Sequence, residues 1–275
     1  MADDGHTPLT RSVEGVAMNL RSRLFAALAV LALTPGAAGA QVLGPRETAF
    51  LAGQTLDCSG CNLAGASLKR HNLAGANLAN ANLVDASFHE ARLAGANLSG
   101  AKARGANFDL AILTSTNFAG ADLTEALFFG ASASGADFTK ATLADARMGN
   151  ITLIRGILEG ADLSRADLGG ATLTDARLAG ARLTDADLRE TALIRADLRD
   201  VTADPVYFGN ARMRGANLRG AVLRGSNFEG ADLTGANLGD SDLSGARLTG
   251  AVVFETDLGG AVLTGARMPD NTVHP

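Results

Sequence analysis

Two cysteines, Cys58 and Cys61, are the chain's only thiols and form a C-x-x-C pair. Such a pair can close into a disulfide, cycle as a redox couple, or give two ligands to a metal. A redox couple calls for a thioredoxin-like βαβ setting, which the flanking sequence lacks. A metal calls for more ligands, and only His71 is near in sequence. The expectation is a structural disulfide between Cys58 and Cys61, with free thiols as the alternative. His6, His89 and His274 are scattered. Neither a Ser-His-Asp set nor a phosphate-cradling glycine loop can be read. Carboxylates such as Asp162, Asp167 and Asp187 recur at regular spacing, which fits solvated repeat positions better than paired catalytic acids. These residues point to no catalytic, cofactor-binding or metal site, and enzyme activity is not expected.

The elements that position them must be unusual. Among 275 residues, 47% are hydrophobic but only 4% are aromatic, with 33 Gly and no Trp. Aromatic rings normally fill a wide core, so small apolar side chains must pack a narrower one here. The net charge of -5 comes from 29 acidic and 24 basic residues, interspersed without long like-charge runs. That balance disfavours direct nucleic-acid binding, which needs a basic face.

From Cys58 to Met268 every fifth residue is apolar without a slip of phase, which makes 43 consecutive units. Ala usually stands two places before each centre, as at Ala66, Ala76 and Ala81, and Gly often two places after, as at Gly65, Gly75 and Gly95. On a helix, five steps of about 100° carry the apolar residue round the surface. On a flat strand they flip it to the opposite face. The pattern survives only if the chain turns a corner once per unit, and Gly suits such corners because it tolerates positive φ. The result is a solenoid of stacked coils.

Units such as Ala76-Asn77-Leu78-Ala79-Asn80 and Ala231-Asp232-Leu233-Thr234-Gly235 resemble the pentapeptide repeat family, whose consensus is A-(D/N)-L-x-x. The resemblance covers 58–268. It implies an all-β fold, a right-handed quadrilateral parallel β-helix with four pentapeptides per coil. About ten to eleven coils, roughly 4.8 Å apart, would then make a rod ~50 Å long.

The phenylalanines give a separate indication of coil size. Phe88, Phe108, Phe118, Phe128, Phe138, Phe208 and Phe228 fall on alternate units, whereas Ala103, Ala133 and Ala203 fall between them. A four-sided coil puts the rings on two opposite walls and the small centres on the other two, keeping the interior evenly filled. The expected structural core includes Leu63, Leu83, Phe88, Phe108, Leu123, Phe128, Leu163, Phe208, Leu223 and Phe228. Leu163→Asp is expected to destabilise far more than Ser164→Asp, with Ser164 read as a surface position.

Residues 1–40 read as an N-terminal extension followed by a secretory signal peptide, Met18 to Ala40. Arg21 and Arg23 precede an apolar run from Leu24 to Leu33, and Ala38-Gly39-Ala40 offers cleavage after Ala40. Ten apolar residues are half of the roughly 20 needed to span a bilayer, so no transmembrane span is expected in the mature chain. A periplasmic or secreted location follows. Residues 41–57 form a linker and N-terminal cap, with a short helix over Pro45-Arg46-Glu47-Thr48-Ala49-Phe50-Leu51. Residues 58–268 form the repeat domain and 269–275 a C-terminal tail. No capping helix is visible in that tail, so the last coil is expected to be uncapped and to offer a route to a homodimer.

One stack of units carries no charge at its outward positions over five coils: Ile112, Thr114, Ser132, Ser134, Thr152, Ile154, Thr172, Thr174, Ala192 and Ile194, bordered by Arg155, Asp175 and Arg195. This is the candidate docking face for a protein partner. The function expected is therefore a non-enzymatic exported scaffold or binding module presenting flat faces to an as yet unidentified protein. The alternative implied by the family is a DNA mimic that binds a topoisomerase such as gyrase. A mimic needs a strongly acidic face in the cytoplasm, whereas Arg177, Arg182, Arg189, Arg199, Arg214, Arg219 and Arg224 interrupt the acidic positions here.

Overall fold

A computed structural model describes residues 43–275. The extension and the export signal up to Ala40 lie outside the described residues.

An apolar side chain at every fifth position stays inside only if the backbone turns once per unit, and it does. The residue two places after each centre takes positive φ in nearly every unit, as at Gly105 (66°), Asn80 (56°), Arg155 (55°) and Leu110 (57°). Glycine is thus less necessary at the corners than its frequency suggests. A bulky residue in this region costs roughly 1–2 kcal/mol. Most corner amides, glycine or not, bond to the following coil: Arg155 N donates to Thr174 O at 3.0 Å and Leu110 N to Phe129 O at 3.0 Å. Pro205, whose ring fixes a negative φ, occupies one corner through a cis peptide with Asp204.

Between corners the strands are one or two residues long. Parallel bridges join residues twenty apart along the chain, from Asp57 with Asn77 to Arg247 with Arg267. The longest ladder step pairs β1 (Thr202–Ala203) with β2 (Val222–Leu223) in the same register. Each unit bonds in both directions: Leu123 N donates to Thr142 O at 2.8 Å, and Asp122 N to Ala101 O at 2.9 Å. Four five-residue units separate bridged partners, so the centres sort into four stacks, here called walls.

The interior is the column these walls enclose. Leu63, Leu83, Phe88, Phe108, Leu123, Phe128, Leu163, Phe208, Leu223 and Phe228 are all buried, together with the Ala residues two places before most centres. Phe88, Phe108 and Phe128 stack at 4.9 Å spacing on one wall, and Phe118 stacks on Phe138 at 4.8 Å on the opposite wall. Rings from the two walls meet edge to face, Phe108 with Phe118 at 5.5 Å and 84°, the geometry that aromatic quadrupoles favour. Ala103, Ala133 and Ala203, on the remaining walls, are buried beside them.

Ser164 departs from its expected exposure: it is 2% exposed. Its hydroxyl donates to Asp162 Oδ1 at 2.5 Å, and its N–H bonds to the same oxygen at 3.0 Å. A small hydroxyl can fold back onto the corner, which covers it.

Both ends of the described chain are covered in part. Helix α1 (Pro45–Leu51) starts at a proline and buries Phe50 against the core. Arg46 donates to Ser59 O at 3.0 Å, and Glu47 Oε1 accepts the Asn62 N–H at 3.2 Å. Bonding to its own N–H and to that of Asn62 holds the Glu47 carboxyl below its ordinary range. At the other end, the expectation of an uncapped coil needs correction. The tail folds back, so that Val273 pairs antiparallel with Arg267, and Met268 N donates to Thr272 O at 2.7 Å. One wall of the last coil is closed this way. The four centres of that coil, Val253, Leu258, Leu263 and Met268, are nonetheless only half-buried.

Candidate functional site: an uncharged wall

The site residues lie one place before and one place after the centres Leu113, Ala133, Leu153, Leu173 and Leu193. Alternation along the short strand buries the centre and turns its two neighbours outward. Ladder pairing stacks Ile112, Ser132, Thr152, Thr172 and Ala192 in one column. Thr114, Ser134, Ile154, Thr174 and Ile194 form the second. Ile112, Thr114 and Ser132 are exposed, while Ser134, Thr152, Ile154, Thr172, Thr174 and Ile194 are half-buried. Ala192 is 3% exposed, so it does not belong to the accessible surface as the sequence suggested. A methyl group is too short to emerge between its larger neighbours. The wall is therefore an array of hydroxyls and branched aliphatics, able to bury against a flat partner without desolvating a charge.

Charge is held at the borders. Asp175 takes Arg195 at 2.7 Å along one corner, and that guanidinium holds the Asp175 carboxyl below its ordinary range. The same device recurs elsewhere: Arg165 on Asp145 at 2.6 Å, Arg177 on Glu159 at 2.5 Å, Arg199 on Asp197 at 2.7 Å and Arg219 on Asp240 at 2.9 Å. Arg189 pairs with Asp187, Arg214 with Asp232, and Arg224 with Asp242 at 2.6 Å. The arginines that interrupt the acidic positions thus neutralise them as pairs, and no uninterrupted acidic face forms on these walls. Arg182 makes no ion pair among the described residues.

The remaining candidates do not converge on chemistry. Cys58 and Cys61 are buried and joined as a disulfide, with Cα atoms 5.2 Å apart. His71 is half-buried, and its Nδ1 lies 3.0 Å from Lys69 O. His89 sits beside Glu90, and His274 beside the backbone of Pro275. Among the described residues no group of His, Cys, Asp or Glu could hold a metal, and no helix is long and apolar enough to cross a membrane. Asp162, Asp167 and Asp187 each accept the N–H two residues on, at 2.9–3.0 Å, so they cap corners.

No functionally curated protein matches the chain. The pentapeptide repeats family matches residues 57–93, 91–130, 121–160, 161–200, 206–240 and 241–270, as eight copies. Among solved structures, HetL, a pentapeptide repeat protein involved in heterocyst differentiation regulation from the cyanobacterium Nostoc sp. strain PCC 7120, is 31% identical. That alignment covers 82% of this chain and 97% of HetL, with a TM-score of 0.37. A pentapeptide repeat protein of the Arabidopsis thaliana thylakoid lumen is 34% identical over 39% of this chain and 61% of its own, with a TM-score of 0.26. QnrB1, a plasmid-mediated fluoroquinolone resistance protein, is 19% identical over 73% of this chain and 88% of its own, with a TM-score of 0.29. With repeats matched across most of its length, the chain belongs to the pentapeptide repeat family.

Proposed function

We propose that the protein is an exported, non-enzymatic scaffold: a right-handed, four-sided β-helix of about ten to eleven coils that offers one flat wall to a protein of the cell envelope. The observation that carries this reading is that the outward positions of one wall, from Ile112 to Ile194, carry no charged side chain over five coils, on a chain that is 19% charged. Residues in such a patch are good interface material because they lose little hydration on contact. The three open walls of the last coil would serve self-association with a second copy.

Affinity capture from an envelope extract tests the wall. Wild type is expected to retain partners that Ile154→Lys/Ile194→Lys loses, and equal recovery by both would remove the wall from consideration. Fractionating cells that express the full chain tests export; retention in the cytoplasm with residues 18 to 40 intact would count against it. The topoisomerase-binding reading is weaker because the carboxylates are clamped by arginine. It predicts inhibition in a gyrase supercoiling assay with residues 41–275, where the scaffold reading predicts none.

A further inference from the structure

Three large apolar side chains are exposed together at one edge of the uncharged wall: Leu110 (49%), Ile112 (37%) and Phe129 (53%). Next to Phe129, in the same column, stand Gly149 and Gly169. Neither has positive φ, so the backbone does not call for glycine at either position. A Cβ at Gly149 would touch the Phe129 ring, with Cδ2 at 3.4 Å, and the Gly169 carbonyl, whereas one at Gly169 would crowd Asp167 Oδ1 at 3.2 Å. The two missing side chains leave an open groove of about 520 Å³, with Phe129 at one end, Arg189 at the other, and Asp167, Asp187 and Glu190 along it. Arg189 is taken up by Asp187. Asp167 and Glu190 make no ion pair among the described residues. Arg147, opposite Asp167 in the ladder, makes none with it either. Asn150 lines the groove and Thr152 belongs to the wall, so the groove and the wall meet across one corner.

We propose that this groove receives a lysine or arginine side chain carried by the protein that lies along the uncharged wall, an inference that rests on the docking role of that wall. The aliphatic stem lies over the glycine floor and against the Phe129 ring, as long basic side chains do on apolar surfaces. The cationic head reaches Asp167 and Glu190, while the Phe129 ring packs against the stem. Asp167 accepts only the Gly169 N–H, and Arg189 acts on it and on Glu190 from a distance, so a purely apolar side chain would strip water from both carboxylates without replacing it, and an acidic one would be repelled. The groove fixes register and partner choice, whereas the wall contributes contact area.

The test is an amide NMR titration of the full chain with n-butylammonium and n-propylguanidinium, small mimics of the two side chains, and with butyrate as the anionic control. Saturable shifts are expected at Gly149, Asn150, Gly169 and Gly170 with both cations and not with butyrate. Asp167→Asn/Glu190→Gln should weaken cation binding roughly fivefold or more, and Phe129→Ala should weaken it too. Equal shifts with butyrate, or cation shifts that persist unchanged in Asp167→Asn/Glu190→Gln, would overturn the proposal. Ile154→Lys/Ile194→Lys should leave the titration unchanged while abolishing partner capture. If capture persists in that variant, the wall reading fails and only the carrier of the basic side chain is lost. If the titration fails while capture is abolished, the groove falls alone.

Discussion

The position before each centre has a task that its exposure hides. Asn107, Asn117 and Asp137 accept the N–H two residues on, at 2.9, 2.9 and 2.8 Å. A short carboxamide or carboxylate reaches that amide and satisfies it as the chain enters the corner. The preference for Asn and Asp in the repeat is therefore structural, and the regular carboxylates need no catalytic explanation. The centres have the opposite requirement. Leu163 is fully buried, so Leu163→Ala should cost about 2–5 kcal/mol by transfer and cavity. Leu163→Asp should cost more, because it adds an uncompensated buried charge. Ser132, being exposed, is a sounder comparison than Ser164: Ser132→Asp should stay within about 0.5 kcal/mol. Thermal melts of the three variants check the order, and a Leu163→Asp melt no lower than that of Ser132→Asp would contradict the inward assignment.

The unit is governed by its corner. Gly225 has φ 61° and open space around the place a Cβ would occupy. Any penalty for replacing it is thus conformational and not steric. Gly225→Val should destabilise by roughly 1–2 kcal/mol, and Gly225→Asn by clearly less, since Asn tolerates this region. Chemical denaturation of both variants decides the matter; equal losses would mean that φ is not the controlling variable. At the first corner, the disulfide of Cys58 and Cys61 closes only a short loop, so its entropic contribution to the whole chain is small. Cys58→Ser/Cys61→Ser should loosen α1 and the first coil while leaving distant coils unchanged. Hydrogen exchange reads this as lost protection at Leu63 and Leu68, with Leu163 unaffected.

The repeat domain, residues 58–268, is a stack of coils in contact only with their neighbours, so its stability is nearly a sum of nearest-neighbour terms. The least covered coil, through Val253, Leu258 and Leu263, should exchange amide hydrogens well before the coil through Leu163. Charge acts along the whole line as well. Arginine partners hold the carboxyls of Asp145, Asp175 and Asp197 below their ordinary values. Their contribution to stability is complete above the unfolded Asp pKa of ~3.9 and is lost as pH falls through the lower folded values. The melting temperature should therefore be level near neutral pH and drop below about pH 4. These pairs are largely exposed, so high salt should reduce the effect. A melting temperature unchanged between pH 7 and pH 3 would remove the paired carboxylates as contributors.

Much of this architecture could be read from the residues themselves. A strict period of five excludes helix and flat strand, so the buried column from Leu63 to Phe228 follows from spacing. The alternation of Phe with Ala centres anticipated rings on opposite walls, because a narrow interior must conserve volume coil by coil. Other features depend on contacts between residues twenty or more positions apart, which a linear pattern does not contain. Local spacing marks Ser164 and Ala192 as outward, yet corner packing and neighbouring coils cover them. The C-terminal tail lacks any repeat signal, and only its pairing with Arg267 shows that it closes a wall. Gly149 and Gly169 look like any other glycines in a glycine-rich chain. Their negative φ and their place beside Phe129 make them the floor of a groove, because only stacking converts a period along the chain into adjacency in space.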